Sequence, residues 1–269
     1  MARITIFHTS DLHNKLTRAL AAKLRGLKAA GASGQNTIPE ASEQLRDLKD
    51  SHPDSLMLDS GDAIWAGNIF WRPGGEPILD LMNSVPYDAM CIGNREFHLT
   101  RRGLVAKMSR ARFPVISANL RSGNPSAAQQ SVPGALSYVT FHPAGLNVNV
   151  FGLSVPCITE RMLVKRVSDY FFAPPEVVAG ELVPMLRKQS DLLVCLSHIG
   201  IKADRELAEA VSGIDIILGG HTHTEVEERV RDTVIFHSGH HAHFVRRVDV
   251  EIKAGKVSIE TELIPLGKA

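Results

Sequence analysis

The sequence predicts an α/β protein, and two observations carry that prediction. Short runs of β-branched and aliphatic residues alternate with amphipathic stretches along most of the 269-residue chain, which is typical of strands connected by helices. The last part of the chain, from Thr233 to Pro265, has consecutive strand-like runs with no helical stretch between them. We therefore expect an α/β architecture that closes with antiparallel structure.

The predicted strands are short apolar runs bounded by turn-forming residues. In chain order they are "RITIFHT", "SLMLDSG", "YDAMCIG", "FPVISAN", "NVNVFGLS", "DLLVCLSH" and "GIDIILGG". Between them, apolar residues at three- and four-residue spacing predict helices. These stretches are Leu16 to Ala30, Pro39 to Lys49, Thr100 to Arg110, Pro175 to Gln189 and Ala203 to Ser212.

The closing strands and two irregular segments complete the assignment. The closing strands are "TVIFHSG", "HFVRRVDVEIKAG" and "KVSIETELIPL", with "KAGK" as a hairpin turn. The segment "RSGNPSAAQQSVPGALS" is the most loop-like part of the chain. A second irregular segment, "CITERMLVKRVSDYFFAPP", is a candidate to border a pocket.

Composition excludes several functional classes. With 44% hydrophobic and 22% charged residues, the chain has the composition of an ordinary globular protein with ample core-forming material. The formal net charge of +1, with cations spread along the chain, argues against a nucleic-acid partner. No window reaches the length of a membrane span, and we expect no membrane partner. The N-terminal strand leaves no room for a signal peptide, so we expect a cytoplasmic location with three reduced cysteines.

Polar side chains of the metal-ligand type follow five of the predicted strands. They occur in "TSDLHN", "LDSGD", "IGNREFH", "LSHIG" and "IILGGHTH". In open α/β sheets, ligands bind in the crevice beyond the carboxyl ends of the strands, so residues distant in sequence converge there. The alternation in Asp11-x-His13 and His221-x-His223 is consistent with an extended backbone, in which residues two apart project to the same side.

The ligand types indicate a site for two divalent ions. The candidate ligands are Asp11, His13, Asp62, Asn94, His198, His221 and His223. Carboxylate, amide and imidazole groups without a thiolate favour Mn, Zn, Fe or Co over a structural zinc. Seven ligands exceed the need of one ion, whereas two ions about 3.5 to 4 Å apart that share one carboxylate would use them all. Asp62 is the natural bridging residue.

The same motifs resemble a known family. The order D-x-H, G-D, G-N, H, G-H-x-H resembles the calcineurin-like metallophosphoesterases. The segments "TSDLHN", "LDSGD", "FPVISANL", "LSHIG" and "GGHTH" look like the catalytic domain of the 5′-nucleotidase and UDP-sugar hydrolase branch. The resemblance runs from about Arg3 to Pro265.

The resemblance implies a fold and a ligand assignment. The fold is a four-layer α/β/β/α sandwich with two mixed β-sheets. One ion would be held by Asp11, His13, Asp62 and His223, and the other by Asp62, Asn94, His198 and His221. In such enzymes a metal-bound hydroxide attacks phosphorus and the ions neutralise charge on the phosphoryl oxygens.

The sequence departs from the family after Asn94. In these nucleotidases the Gly-Asn is usually followed by His, which an Asp three residues later orients as a catalytic dyad; this chain has Arg95 and His98. Arginine cannot protonate a leaving group at neutral pH, but its planar fork can bind two phosphoryl oxygens. Related hydrolases with a G-N-R-D motif cleave a pyrophosphate. We therefore expect a bias toward phosphoanhydrides or activated phosphodiesters.

The source of the leaving-group proton stays open. His98 either acts as the acid or only stacks or hydrogen-bonds near the site. In "FHSGHHAHFV", His240 or His241 is a second candidate for the missing acid, and we assign His240 to substrate binding; the alternative is a solvent-facing loop, which we prefer for His243. Glu96 fits a supporting or capping position better than a ligand position.

We expect one catalytic domain over residues 1–269, without the C-terminal nucleotide-binding domain of larger relatives. Base specificity would then be weak, or would come from a partner. The aromatic residues of two segments could line a substitute pocket, although core or loop packing suits most of them better. They are Trp65, Phe70, Trp71, Tyr170, Phe171 and Phe172.

The function predicted from the sequence is hydrolysis of phosphoester or phosphoanhydride bonds in a nucleotide-like small molecule. The alternative from another class is a catalytically weak metal-binding or ligand-sensing domain that lost the dyad. A DNA nuclease is a third hypothesis, disfavoured by the near-neutral charge.

Overall fold

The computed structural model describes residues 2–17, 40–122, 134–253 and 256–267. The strands in this part are β1 (Ala2–Thr9), β2 (Leu56–Asp59), β3 (Ala89–Cys91), β4 (Val115–Ile116), β5 (Leu120–Ser122), β6 (Tyr138–Phe141), β7 (Val148–Ser154), β8 (Tyr170–Phe172), β9 (Leu192–His198), β10 (Ile216–Gly219), β11 (Glu225–Val230), β12 (Thr233–Ser238), β13 (Phe244–Lys253) and β14 (Lys256–Pro265). The helices are α1 (Ala41–Asp50), α2 (Ile78–Ser84), α3 (Arg101–Met108), α4 (Pro175–Arg187) and α5 (Ile201–Ala210). Short 3₁₀ turns cover Pro143–Gly145 and Leu163–Val167.

Two mixed six-stranded sheets form the centre of the protein. The first has the order β14-β13-β1-β2-β3-β4, in which β1 to β4 are parallel and β13 and β14 antiparallel. The second has the order β11-β12-β10-β9-β7-β6, with parallel β12, β10, β9 and β7 and antiparallel edges. A small third sheet pairs β5 with β8.

The core is divided into three apolar layers, which makes the protein a four-layer α/β/β/α sandwich. The layer between the sheets includes Ile6 of β1 and Val194 of β9. Phe7 of β1 points the other way and packs with residues of α1, α2 and α3. Cys195 of β9 likewise packs with α4 and α5. Because neighbouring residues of a strand face opposite sides, strands covered on both faces are mostly apolar.

The principal helices and strands lie close to their predicted positions. Helix α3 begins one residue after Thr100, whose Oγ1 accepts a hydrogen bond from the backbone N–H of Gly103 at 3.2 Å. The predicted helix Leu16 to Ala30 lies mostly outside the described residues, as do most of the loop-like segment and the two central residues of "KAGK". Strands β13 and β14 pair antiparallel from Lys253 and Lys256 onward, as expected for a hairpin.

Several short elements were missed by the sequence analysis. Strand β11 ("EVEERV") has no fully buried residue, so it lacks the apolar pattern that marks a strand. The strands β5, β6 and β8 have three or four residues each, and α2 has seven. The predicted closing strands are split between the sheets, since β12 joins the second sheet and β13 the first. Within the described residues, no helix has the length and apolar character needed to cross a membrane.

Candidate metal centre

The candidate ligands lie at the carboxyl ends of β1, β2, β3, β9 and β10. His198 is the last residue of β9, and the others follow their strands. Five of them have left-handed backbone conformations that non-glycine residues rarely adopt. Their φ angles are 52° for Asp11, 46° for His13, 55° for Asp62, 75° for His221 and 57° for His223. The extended backbone expected for Asp11-x-His13 and His221-x-His223 is therefore wrong. Strained conformations of this kind persist where surrounding contacts over-determine them, as at functional sites.

Backbone contacts bring the first two loops together. The N–H of Asp11 donates to the carbonyl oxygen of Gly61 at 2.9 Å, and the N–H of His13 to that of Asp62 at 3.0 Å. Gly93 allows the third loop to approach, since a Cβ at this position would lie 2.3 Å from Oδ1 of Asp62. The glycine before Asn94 is thus required by contact with another loop as well as by a turn.

Three side chains form a first cluster. Nε2 of His13 lies 3.2 Å from Nε2 of His223, and Oδ1 of Asp11 lies 3.3 Å from the latter nitrogen. Nδ1 of His13 is 3.3 Å from the carbonyl oxygen of Ile64 and donates its proton there. That contact leaves the Nε2 lone pair of His13 facing the cluster, which is the tautomer a metal ligand needs.

A second cluster contains the other candidate ligands. Oδ1 of Asn94 lies 3.3 Å from Nε2 of His198 and 3.1 Å from Nδ1 of His221. Nδ1–H of His198 donates to the carbonyl oxygen of Ser60 at 2.8 Å, so that its Nε2 also presents a lone pair.

Asp62 lies between the two clusters. Its Oδ2 is 4.0 Å from Nε2 of His13, and its Oδ1 is 3.4 Å from Nε2 of His198. Each carboxylate oxygen therefore faces one cluster. This geometry allows Asp62 to bridge two cations. Asp11 also lies near both clusters, since its carboxylate is within 4.8 Å of ligand atoms of His13 and His223 and of Asp62 and His198.

The electrostatics of the clusters are those of a site built for cations. Burial opposes ionisation of Asp11, but the hydrogen bond from His223 and the charge of His198 bring its pKa down to about 2. Burial raises the pKa of Asp62, against the opposing effect of His198. Imidazole nitrogens 3.2 Å apart, as in His13 and His223, repel unless a proton or a metal ion lies between them. The donor set fits divalent cations, because it combines carboxylate and amide oxygens with imidazole nitrogens.

Glu96 links the loop that carries Asp62 to the loop that carries Asn94. It is fully buried, and its carboxylate accepts the backbone N–H groups of Asp62 at 2.8 Å, Ile64 at 3.1 Å and Gly93 at 2.9 Å. Burial and the charge of Asp62 raise the pKa of Glu96. The supporting position expected for this residue matches its contacts.

Lys107 supports the site from α3 and was missed by the sequence analysis. It is fully buried, and its Nζ donates to the carbonyl oxygens of Gly67 at 2.9 Å, Arg95 at 2.6 Å and Phe97 at 2.8 Å. Burial lowers its pKa to about 8. A signal was present, since Lys107 shares the buried face of α3 with Leu104.

Arg95 lies at the edge of the clusters. Its backbone N–H donates to Oδ1 of Asp62 at 2.7 Å, and its Nε is 3.9 Å from Oδ2 of the same carboxylate. The guanidinium carbon is 5.5 Å from the ring centroid of Trp65. With 36% of its side chain exposed, Arg95 is accessible to a ligand.

His98 makes its hydrogen bonds away from the clusters. Its Nδ1 accepts the backbone N–H of Thr100 at 2.9 Å and lies 3.0 Å from the hydroxyl of that residue. The ring packs on Gly103, where a Cβ would come within 2.2 Å of Nδ1. Burial lowers its pKa. These contacts favour the hydrogen-bonding alternative over the acid.

The later histidines divide into two groups. His237 is buried in β12, with Nε2 at 2.8 Å from a carboxylate oxygen of Asp204. His240 stacks on His223 with ring centroids 4.8 Å apart and planes 16° apart. His241 lies 5.5 Å from the ring of His13, and burial with neighbouring imidazoles lowers its pKa to about 4. Both His240 and His241 thus border the first cluster, which is compatible with either of the roles considered for them.

Comparison with known proteins gives the same family as the motifs. A snake venom 5′-nucleotidase from Naja atra is 30% identical over 227 residues, which cover 82% of this chain and 41% of that protein. This chain thus spans less than half the length of that curated relative.

Solved structures share the fold. That of a 5′-nucleotidase precursor from Thermus thermophilus matches 98% of this chain and 54% of its own, with a TM-score of 0.74 and 24% identity. That of the calcineurin-like phosphoesterase YfkN from Bacillus subtilis matches 98% of this chain and 91% of its own, with a TM-score of 0.73 and 18% identity. A model of the calcineurin-like phosphoesterase family matches residues 4–225, which include all the candidate ligands. The resemblance inferred from the motifs is confirmed, and the chain belongs to the calcineurin-like phosphoesterase family.

Proposed function

We propose that the protein is a hydrolase of phosphoester or phosphoanhydride bonds in nucleotide-like small molecules and works with two divalent ions. Membership of the family implies divalent metal ions. The observation that carries the proposal is Asp62, with one carboxylate oxygen toward each of two ligand clusters.

The proposed ligand sets follow the two clusters. Asp11, His13 and His223 with Asp62 would hold one ion, and Asn94, His198 and His221 with Asp62 the other. When bound, two such ions supply charge neutralisation and an acidified water molecule at neutral pH. Mn, Zn, Fe and Co all suit these ligands.

Arg95 and Asn94 are the proposed phosphoryl-binding residues. The Arg95 guanidinium lies beside Asp62 and has no hydrogen-bond partner at Nε among the described residues. Its fork can donate two parallel hydrogen bonds to phosphoryl oxygens. A guanidinium group is too weak an acid to supply a proton to a leaving group. A phosphate leaving group departs without protonation more readily than an alkoxide does. Phosphoanhydrides are therefore the favoured substrates.

His240, which stacks on His223 of the first cluster, is a further proposed substrate contact. Its Nδ1 is 3.3 Å from the carbonyl oxygen of His223. A catalytic domain over residues 1–269, a cytoplasmic location and the absence of a nucleic-acid partner remain predictions from the sequence.

A turnover assay tests the proposal. With added Mn²⁺, the purified protein is expected to hydrolyse bis-p-nitrophenyl phosphate, and EDTA is expected to abolish that turnover reversibly. Metal content measured on the same sample separates the two functional classes. Two bound ions per chain without turnover of any phosphate substrate would instead support the ligand-sensing alternative.

The Arg95→His variant tests the leaving-group argument. We expect the wild type to prefer ADP-glucose or ADP over AMP in kcat/KM, since these substrates share one base, and the variant to shift that ratio toward AMP by about 10- to 100-fold, because His can supply a proton. Arg112→His, an exposed arginine elsewhere, is the matched control. A wild type that strongly prefers AMP, or an unchanged ratio in Arg95→His, would show that Arg95 does not select the leaving group.

A further inference from the structure

A cavity of about 490 Å³ opens beside the first ligand cluster. We call it the aromatic pocket and define it by His13, Trp65, Phe70, Trp71, Glu76 and His241. Its volume lies within the range of small-molecule sites. His13 belongs both to the first ligand cluster and to the pocket wall. The pocket therefore adjoins the proposed metal centre.

The aromatic walls of the pocket are unusually accessible. Trp65 is 55% exposed and Phe70 is 70% exposed, whereas Tyr170 and Phe172 are buried in the core. Tyr170 and Phe172 thus serve core packing, as expected for most of these aromatics, whereas Trp65 and Phe70 present exposed rings at the pocket. Exposed aromatics that line a concave site favour a ligand with a flat face.

Cationic side chains and neighbouring rings hold the two tryptophans in place. The Arg95 guanidinium carbon is 5.5 Å from the ring of Trp65, and that of Arg102 is 5.3 Å from the ring of Trp71. The rings of His13 and Trp65 meet edge to face, with centroids 5.2 Å apart and planes at 81°. The tryptophans are therefore oriented before a ligand arrives, which lowers the entropic cost of binding.

Glu76 contributes a carboxylate to the pocket, and only one of its two oxygens is paired. The residue is 1% exposed, and its Oε1 is buried with no hydrogen-bond partner among the described residues. Its Oε2 lies 3.4 Å from Nε of Arg72. A buried carboxylate oxygen left unpaired costs free energy that a ligand's N–H or O–H would recover.

We propose that the aromatic pocket binds the nucleobase of the substrate, with Trp65, Phe70 and Trp71 as the stacking surface and Glu76 as the acceptor for the base's N–H groups. This inference rests on the proposed function, because it assigns the leaving-group side of the same site. It places base recognition within this chain, where the sequence analysis expected weak specificity or a partner. A base that offers N–H donors, such as guanine, fits Glu76 best.

Intrinsic fluorescence tests the pocket without any turnover. The chain contains two tryptophans, and both line the aromatic pocket, so the tryptophan signal reports on this site alone. Guanosine, which has no phosphate, is titrated into the EDTA-treated protein. We expect saturable quenching, whereas ribose causes none.

Variants then assign the binding to named side chains. Phe70→Ala and Trp71→Ala are expected to weaken guanosine binding about tenfold or more, since one stacked base contributes that much. Glu76→Gln, which keeps the size of the side chain, is expected to weaken it at least about threefold. Leu163→Ala, an exposed apolar residue outside the pocket, is the control.

The outcomes for the pocket and for the proposed function are separable. Guanosine binding without hydrolysis of any phosphate supports the pocket and contradicts the hydrolase. Hydrolysis without saturable quenching, or with equal guanosine affinity in wild type, Phe70→Ala and Trp71→Ala, overturns the pocket and leaves the hydrolase standing. A thermal unfolding midpoint close to that of the wild type shows that a variant is folded. Its loss of guanosine binding is then an effect on the pocket and not on the whole fold.

Discussion

Replacing Asp62 with Asn is expected to lower the turnover of the Mn²⁺-loaded protein on bis-p-nitrophenyl phosphate by at least about 10³-fold. Each oxygen of Asp62 faces a different cluster, at 4.0 Å from Nε2 of His13 and 3.4 Å from Nε2 of His198. An amide keeps the shape and an acceptor for the backbone N–H of Arg95 but removes the negative charge that two cations would share. We therefore expect loss of metal and of activity with little loss of fold.

Three measurements on the same preparation check this expectation. They are kcat, the number of ions per chain by elemental analysis, and the midpoint of unfolding without metal. Asp80→Asn, which breaks a surface ion pair with Arg110, is the control and is expected to retain full activity. If Asp62→Asn kept two ions and more than about a tenth of the activity, Asp62 would not bridge the metals.

Replacing Glu96 with Ala is expected to reduce the free energy of unfolding by about 3 to 5 kcal/mol. The carboxylate is fully buried and accepts three backbone N–H groups, so its removal leaves three buried donors without partners. Those donors belong to the loops that carry Asp62 and Asn94. Metal affinity should therefore fall as well, by about 10- to 100-fold, as when a support of a ligand is removed.

Denaturant unfolding of the metal-free protein measures the first effect, and calorimetric Mn²⁺ titration measures the second. Glu96→Gln retains one acceptor oxygen and is expected to lie between the wild type and Glu96→Ala. Glu160→Ala, with a 74% exposed side chain, is the control. A Glu96→Ala protein within about 1 kcal/mol of the wild type would show that these hydrogen bonds contribute little to stability.

The candidate ligands could be picked out of the sequence because each of them is marked locally. Strand β9 is buried on both faces and is apolar from Leu192 to Leu196, so His198 at its end stands out from that background. Since the ends of parallel strands share one edge of a sheet, Asp11, Asp62 and His198 could be expected to meet without knowledge of the packing.

Other features of the site could not be inferred from the sequence. The left-handed conformations of Asp11 and His221 are not evident from their residue types, because the contacts that impose them come from other loops. The spacing of His98 after Asn94 allowed either a catalytic or a supporting position. Its hydrogen bonds to Thr100 at the start of α3 give it a place in the fold that spacing could not specify.

The sequence alone determined the α/β class and the candidate ligands, because apolar periodicity and strand-end residues are properties of neighbouring positions. The layered arrangement of the sheets was expected only from the resemblance of its motifs to the family. Only the tertiary structure decided how the rest of the site is arranged. It placed one Asp62 oxygen toward each cluster, joined Lys107 to three carbonyl oxygens and set Glu76 in one pocket with both tryptophans. These contacts join loops that are separated along the chain, so they depend on how the two sheets and their helices pack.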